Sequence, residues 1–354
     1  MADRQAPKAI SDKVFVHRVL IALGLAALFF LVWKLRILLL MLFGAVVIAS
    51  IFRAVADGIG RVTRLPGWAS TALAILLVLG GLVSLIAVFG SHIGQEMQSL
   101  WDKLPTAWEA FEKRIGNFGL GNQLEQLAAS ISTPGGGSLS GFGRTLLSVG
   151  SGIADLVVVI FAGIYLATQP KFYRTGVIKL VPQERRKVAA EAMLESERAL
   201  RLWLMGQVIA MVVVGLTIGI GLWLIGMPSA LALGLLAGLL EFIPFAGPFI
   251  AAVPAVLLAL AMGPEVTLWV ILLYLGVQQI EGTLLTPMIQ QYAVDLPGVV
   301  LLFALIGFGT LFGTLGVILA APLAVVTLVL VKRLYVIETL HTDTPMPGDG
   351  KGKD

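Results

Sequence analysis

Two acidic residues fall among apolar neighbours in a long stretch without lysine or arginine. Residues 202–331 contain no lysine or arginine, and their carboxylates are Glu241, Glu265, Glu281 and Asp295. A cation at the centre of a membrane span costs ~2.5–3.5 kcal/mol on insertion scales, so lipid explains the missing Lys and Arg. A carboxylate there pays a comparable penalty and marks an ion, proton or substrate site by default. Glu241 and Glu281 fall among apolar residues and are the first candidates. Either carboxyl can take a proton, a Na⁺ ion or a hydroxyl-rich solute. The competing assignments are a protonated Glu241 capping backbone amides at a helix break, and a Glu281 that only bridges helices or subunits.

Neighbouring residues extend the candidate set. Glu241 opens the run Glu241-Phe-Ile-Pro244-Phe-Ala-Gly247-Pro248, so Pro244, Gly247 and Pro248 join it as substrate or coupling-ion residues. Gln278 lies three positions before Glu281, and i, i+3 residues share a helix face, which adds Gln278. Gly307, Gly309, Gly313 and Gly316 permit a tight hairpin tip, and Gly309 and Gly313 are its candidate solute contacts. Asp295 and Pro297, in the polar connector 290–297, are candidates for gating, with helix capping as the plainer role for Asp295. Glu265 follows Gly263-Pro264 and reads as a water-exposed turn. Glycines 215, 219, 221, 234 and 238 have the spacing of close helix packing. There is no cysteine, and His17, His92 and His341 form no pair with metal-ligand spacing. Thiol chemistry is thereby excluded. No P-loop, catalytic triad or HExxH pattern occurs. No metal centre, cofactor or enzymatic activity is expected.

The elements that must position these residues follow from composition. The 354 residues are 58% hydrophobic and 13% charged, against roughly 25% charged in soluble domains. The fold class predicted is an all-α polytopic membrane protein with about eight hydrophobic segments of roughly span length: 16–33, 37–52, 68–90, 146–168, 203–226, 229–262, 267–286 and 299–331. The first segment reads as a retained span, since no small-residue cleavage site follows it. With the N-terminus inside, 19 Lys and Arg fall on one side and six on the other, which puts both termini in the cytoplasm. A net charge of +4 arranged this way marks topology and gives no reason to expect a nucleic-acid partner.

The chain divides into N-terminal spans (1–90), an extracytoplasmic loop domain (91–145), one span (146–168), a cytoplasmic amphipathic segment (169–202), a transport core (203–333) and a disordered cytoplasmic tail (334–354). The loop domain holds an amphipathic helix through Met97, Leu100, Trp101, Leu104, Trp108 and Phe111, and a flexible linker at 134–138. Residues 184–201 form a second amphipathic helix whose cations mark the inner leaflet. Segments 229–262 and 299–331 would be ~50 Å long as straight helices, against ~30 Å of hydrocarbon. Both carry breakers, at 241–248 and 307–313, and are predicted to be broken or re-entrant hairpins. Gly247-Pro-Phe-Ile-Ala-Ala-Val-Pro254-Ala-Val parallels Gly316-Val-Ile-Leu-Ala-Ala-Pro322-Leu-Ala-Val. A span plus a hairpin, repeated, gives an inverted repeat whose interrupted segments meet at a substrate site. If both segments cross fully, the repeat is parallel instead.

These residues resemble a known family. Leu202-Trp-Leu-Met-Gly206-Gln207, the block from Gly226-Met-Pro228 through Glu241-Phe-Ile-Pro244-Phe-Ala-Gly247-Pro248, then Gln279-Ile-Glu281, Leu285-Thr-Pro287, Asp295-Leu-Pro297, Gly313-Thr-Leu-Gly316 and Ala321-Pro322-Leu-Ala look like the hallmark of the AI-2E transporters, the autoinducer-2 exporter-like membrane proteins. The specific part is 202–325, and the earlier spans match in spacing and hydrophobicity. The resemblance implies export of small molecules from a bacterial inner membrane, autoinducer-2 in some members and Na⁺ or Li⁺ against protons in others, by a homo-oligomer. The expected function is secondary transport of a small polar solute driven by H⁺ or Na⁺. The rivals are a monovalent cation/proton antiporter without organic cargo, a membrane scaffold that transports nothing, and a passive channel. Besides the solute and the ion, the expected partners are membrane lipids and further copies of the chain.

Overall fold

The computed structural model describes residues 12–81, 83–84, 149–285, 296–342 and 344. The regular elements among them are helical, without a strand. Helix α1 (Asp12–Lys34) leads into α2 (Arg36–Thr63) and α3 (Gly67–Gly81). Helix α4 (Val149–Thr168) turns by 90° into the short α5 (Pro170–Lys179). The cause is local: proline disfavours helical backbone at the residue before it, and Gln169 sits at φ −125°, ψ 49°. Helices α6 (Arg186–Leu224), α7 (Ala230–Leu240), α8 (Ala246–Met262) and α9 (Pro264–Ile280) follow, the last continuing as a π-helical turn over Glu281–Leu285. After the connector come α10 (Gly298–Phe312), α11 (Thr314–Ile318) and α12 (Ala320–Val331).

Five of these helices are long and apolar enough to cross a membrane, or six when α4 and α5 count as one span. The chain is an all-α polytopic membrane protein. The amphipathic helix of 91–145, the linker at 134–138, Asp295 and most of the C-terminal tail lie outside the described residues.

The charged segment and the span after it are one rod. Helix α6 runs 39 residues without interruption, about 58 Å at 1.5 Å per residue. Its charged half is tied to α2 by Arg53–Glu197 at 2.7 Å and Arg201–Asp57 at 2.5 Å, and to the π-helical turn Lys332–Ile337 that follows α12 by Arg333–Glu191. These pairs are partly exposed and contribute about 0–1 kcal/mol each, so they set register more than stability. The apolar half meets α7 along a glycine seam. A Cβ on Gly234 would lie 2.5 Å from Gly219 Cα, and one on Gly238 3.0 Å from Gly215 Cα. Two backbones this close gain their contact from dispersion, the mode open to helices in lipid.

Both long segments are broken. The first stops at Glu241 and restarts at Ala246, and α8 packs on α7. The second remains helical through Gly307 and Gly309, which are interior residues of α10, and breaks at Gly313 and Leu319. Single glycines inside a helix cost only about 1 kcal/mol. Gly313 has φ 67°, ψ −147°, open to glycine alone, and it therefore ends the helix. Helix α12 then folds back against α10. One apolar cluster joins α6, α7, α8 and α9, and a second joins α2, α6 and α12.

Candidate functional site

The first break is built by a short sequence of local causes. Helix α7 closes with Glu241 N–H on Ala237 O at 3.0 Å and Ile243 N–H on Leu240 O at 2.9 Å. Pro244 has no N–H to carry the ladder further. Phe245 then takes φ 64°, ψ −53°, and Ala246 N–H reaches back to Pro244 O at 2.8 Å. That is a tight three-residue turn of the strained hand, which costs of order 1–3 kcal/mol for a residue with a side chain. Gly247 closes the corner. A Cβ there would sit 1.9 Å from Leu240 O, so α8 can restart this near α7 only because residue 247 has none.

Helix α6 braces the corner from outside. Gln207 Nε2 donates to Glu241 O at 2.6 Å, and the Trp203 ring meets Phe242 edge-on with centroids 6.0 Å apart. Residues 203 and 207 are i, i+4 neighbours on one face. Neither was a candidate from sequence. Gln207 could have been found as the one amide in the apolar span 203–226.

Glu241 itself is 2% exposed. Its carboxyl lies close enough to that of Glu281 for the two to interact, and no donor among the described residues satisfies Glu241 Oε2. Glu281 is half-buried and begins the π-helical turn that ends α9; such widened turns recur at functional sites. Gln278 Nε2 donates to Glu281 Oε2 at 3.2 Å. Two carboxyls are acceptors only when both are ionised, so neither can donate to the other unless one holds a proton.

The structure thus brings Glu241, Gln278 and Glu281 together, with Pro244, Gly247 and Pro248 forming the corner that carries Glu241. Gly309 and Gly313 belong to the second break. A Cβ on Gly309 would meet Val317 Cγ2 at 2.9 Å, which shows that this glycine seats α11. Pro297 precedes α10 with φ −56°. Beside it, the Phe245 ring lies against Gly298, 3.5 Å from where a Cβ would stand, so the first corner touches the start of the second broken segment. Glu265 is exposed in the first turn of α9. An open apolar groove of about 590 Å³ follows the α6–α7 seam, lined by Gly215, Gly219, Gly234 and Gly238 with Trp223 and Leu239 among its walls. It does not include the carboxyl pair.

The profile of the AI-2E family transporters matches residues 19–335. YueF of Bacillus subtilis, provisionally named a transport protein, is 26% identical over 299 residues, covering 79% of this chain and 81% of YueF. A second protein of that organism with the same kind of name, YrrI, is 31% identical over 205 residues, 58% of this chain and 57% of YrrI. The AI-2 transport protein TqsA of Escherichia coli is 22% identical over 280 residues, covering 76% and 78% of the two chains.

Proposed function

This chain belongs to the AI-2E transporter family, and we propose that it is a secondary transporter that exports a small polar solute at the expense of a proton or sodium gradient. One observation carries the proposal: a carboxyl buried to 2% exposure faces a second carboxyl at a break in the helical backbone. An uncompensated charge in that setting costs several kcal/mol, and uptake of H⁺ or Na⁺ removes the cost. Loading the pair therefore changes the free energy of the corner, and the corner touches both broken segments through Phe245 and Gly298. In this reading Glu241 and Glu281 bind the coupling ion, Gln278 orients Glu281, and the two breaks enclose the solute. Pro297 and Asp295 gate the connector. The name of TqsA supports an autoinducer-2-like signal as the cargo.

A second reading is favoured by a specific feature. The pair is complete as a site for a proton or a monovalent cation without organic cargo, and the 590 Å³ groove offers apolar walls and no charged group. Monovalent cation/proton antiport would use the same two residues. Orientation with both termini in the cytoplasm of a bacterial inner membrane is supported by the charge asymmetry. Assembly into a homo-oligomer is supported by α1, whose span-length window is wholly outside the chain's own core.

The test is reconstitution in vesicles with an imposed pH or Na⁺ gradient. The variants Glu241→Gln and Glu281→Gln are each expected to lose gradient-driven flux while remaining folded. Full gradient-coupled transport by Glu241→Gln rejects the ion-binding role. Na⁺-dependent proton movement without any added solute selects the antiporter reading.

A further inference from the structure

Helix α8 has a weak turn of its own, one turn beyond the corner that carries Glu241. Pro254 stands inside the helix, so position 254 has no N–H to offer the carbonyl four residues back, at Ile250. At the next residue, a neighbouring helix supplies a donor. Tyr274 Oη, on α9, donates to Ala251 O at 3.3 Å. Ala251 is fully buried, and the Tyr274 ring packs against the apolar cluster that joins α6, α7, α8 and α9. Apolar packing is non-directional. It holds α8 and α9 together without fixing how far one is displaced along the other. A hydroxyl on a single carbonyl does fix that displacement.

Both ends of this bond lead to the carboxyl pair. On α8, Ala251 lies four residues after Gly247, the residue that seats α8 against the main chain of Leu240 and Glu241. On α9, Tyr274, Gln278 and Glu281 have i, i+4, i+7 spacing and share one face. Gln278 donates to Glu281 in turn. The contacts therefore close a ring that runs from Glu241 through Gly247, Ala251 and Tyr274 to Glu281. The Tyr274 hydroxyl is a link of that ring that removal of one atom breaks.

We propose that Tyr274 is a positioning residue for the carboxyl pair: it holds the helix of Glu281 in register on the proline-weakened turn of α8, and so sets how Glu281 stands to Glu241. Its effect on transport rests on the ion-binding reading of the pair; its effect on geometry does not.

The experiment uses the full-length protein and Tyr274→Phe, which removes the hydroxyl and keeps the ring. The chain contains no cysteine, so Glu241→Cys with Glu281→Cys introduces a single thiol pair. Its rate of disulfide formation under a mild oxidant, in vesicles, reads the approach of the two positions without any transport. A bond of 3.3 Å is long for a hydroxyl donor, and its loss should loosen the pair without separating it. Adding Tyr274→Phe is expected to slow cross-linking roughly fivefold. With both glutamates in place, Tyr274→Phe should raise the Na⁺ or H⁺ concentration that half-saturates gradient-driven flux by about fivefold, with maximal flux retained. Loss of folded protein would lower the maximum and leave the half-saturating concentration alone, so the two causes separate. Tyr165→Phe, at an exposed position of α4, is the control and should match the wild type in flux and cross-linking. An unchanged cross-linking rate overturns the positioning role, as does an equal change in the Tyr165 control. Slower cross-linking with an unchanged half-saturating concentration overturns it as well, because the displacement then fails to reach the ion site. A wild type whose flux ignores both cations refutes the ion-binding reading instead, and cross-linking alone then decides the role of Tyr274.

Discussion

Adding a single methyl group at position 247 should disable the corner that carries Glu241. In Gly247→Ala the new Cβ would stand 1.9 Å from Leu240 O, 2.6 Å from Leu240 C and 3.2 Å from Glu241 N. Non-bonded carbon and carbonyl oxygen come no nearer than about 3.3 Å, so the two arms must part by roughly 1.4 Å at this point. The atoms met are main-chain atoms of α7, which have no rotamer to escape into. Overpacking usually costs ~1–3 kcal/mol, and a clash with backbone belongs at the upper end or beyond. The displaced atoms lie directly before Glu241, so the carboxyl shifts with them, and the 2.6 Å bond from Gln207 to Glu241 O is lost or stretched. Thermal unfolding in detergent should show a lower midpoint for Gly247→Ala. Gradient-driven flux in vesicles should fall even in the fraction that stays folded. Gly276→Ala is the matched control: a Cβ there meets nothing within 4 Å, and inside α9 alanine is favoured by up to about 1 kcal/mol. If Gly247→Ala proves as stable and as active as Gly276→Ala, the steric account of the break is refuted.

Further outcomes follow from the same geometry. Gln207→Leu leaves the Glu241 carbonyl without its donor and should destabilise the protein by about 1–3 kcal/mol, read as a lower unfolding midpoint; an unchanged midpoint would remove Gln207 from the brace. Gly234→Ala should be far more damaging than Gly221→Ala, because the former meets Gly219 Cα at 2.5 Å, whereas the nearest atoms to the latter belong to the movable side chain of Leu273. Comparing the two midpoints checks this. Charge reversal at Arg201→Asp should cost no more than about 1 kcal/mol, given the exposure of the pair, and Asp57→Arg in the same chain should restore it. A double variant no better than the single one shows that the pair does not set register.

The membrane class, the helical fold and the two breaks were legible from residue types alone. An apolar stretch lacking Lys and Arg reads directly as lipid-embedded, and Glu241-Phe-Ile-Pro244 followed by Gly247-Pro248 cannot continue a helix. The proximity of Glu241 and Glu281 was not legible. They stand 40 positions apart, and only the packing of α8 on α7 and of α9 on α8 brings them face to face. The second break falls at the last residue of the predicted 307–313 stretch, Gly313, with a further interruption at Leu319. Gly307 and Gly309 look like breakers in sequence, but isolated glycines are tolerated in a helix whose neighbours supply the packing, and the left-handed backbone that stops α10 is confined to Gly313. The continuity of α6 was hidden by a change in composition near residue 202. Helical hydrogen bonding is indifferent to whether the side chains face water or lipid, so the charged half and the apolar half form one rod.

That continuity constrains how any transport cycle can run. Gln207 stands six positions after Arg201, about 9 Å of rise along α6. The ionic contacts to α2 and the brace under Glu241 are therefore rigidly linked. Where Gly215 and Gly219 meet Gly234 and Gly238 the α6–α7 seam is backbone on backbone, and those four positions offer no side chain to stop the helices sliding. Gln207 blocks such sliding by holding the carbonyl of Glu241, just past the end of α7, and Trp203 blocks it by packing on Phe242. Helices α6 and α7 accordingly behave as one body. A compliant joint between α7 and α8 is the turn at Pro244–Ala246, where Phe245 already occupies strained backbone and its ring bears on Gly298. In the transport reading, rearrangement on loading the carboxyl pair passes through that turn: relaxing Phe245 moves α8 against α7 and at the same time releases or presses the start of α10. A mechanism that instead rocks α7 over α6 must first break the bond between Gln207 and Glu241 O, at a cost of about 1–3 kcal/mol for the unsatisfied carbonyl, before any loaded solute could repay it.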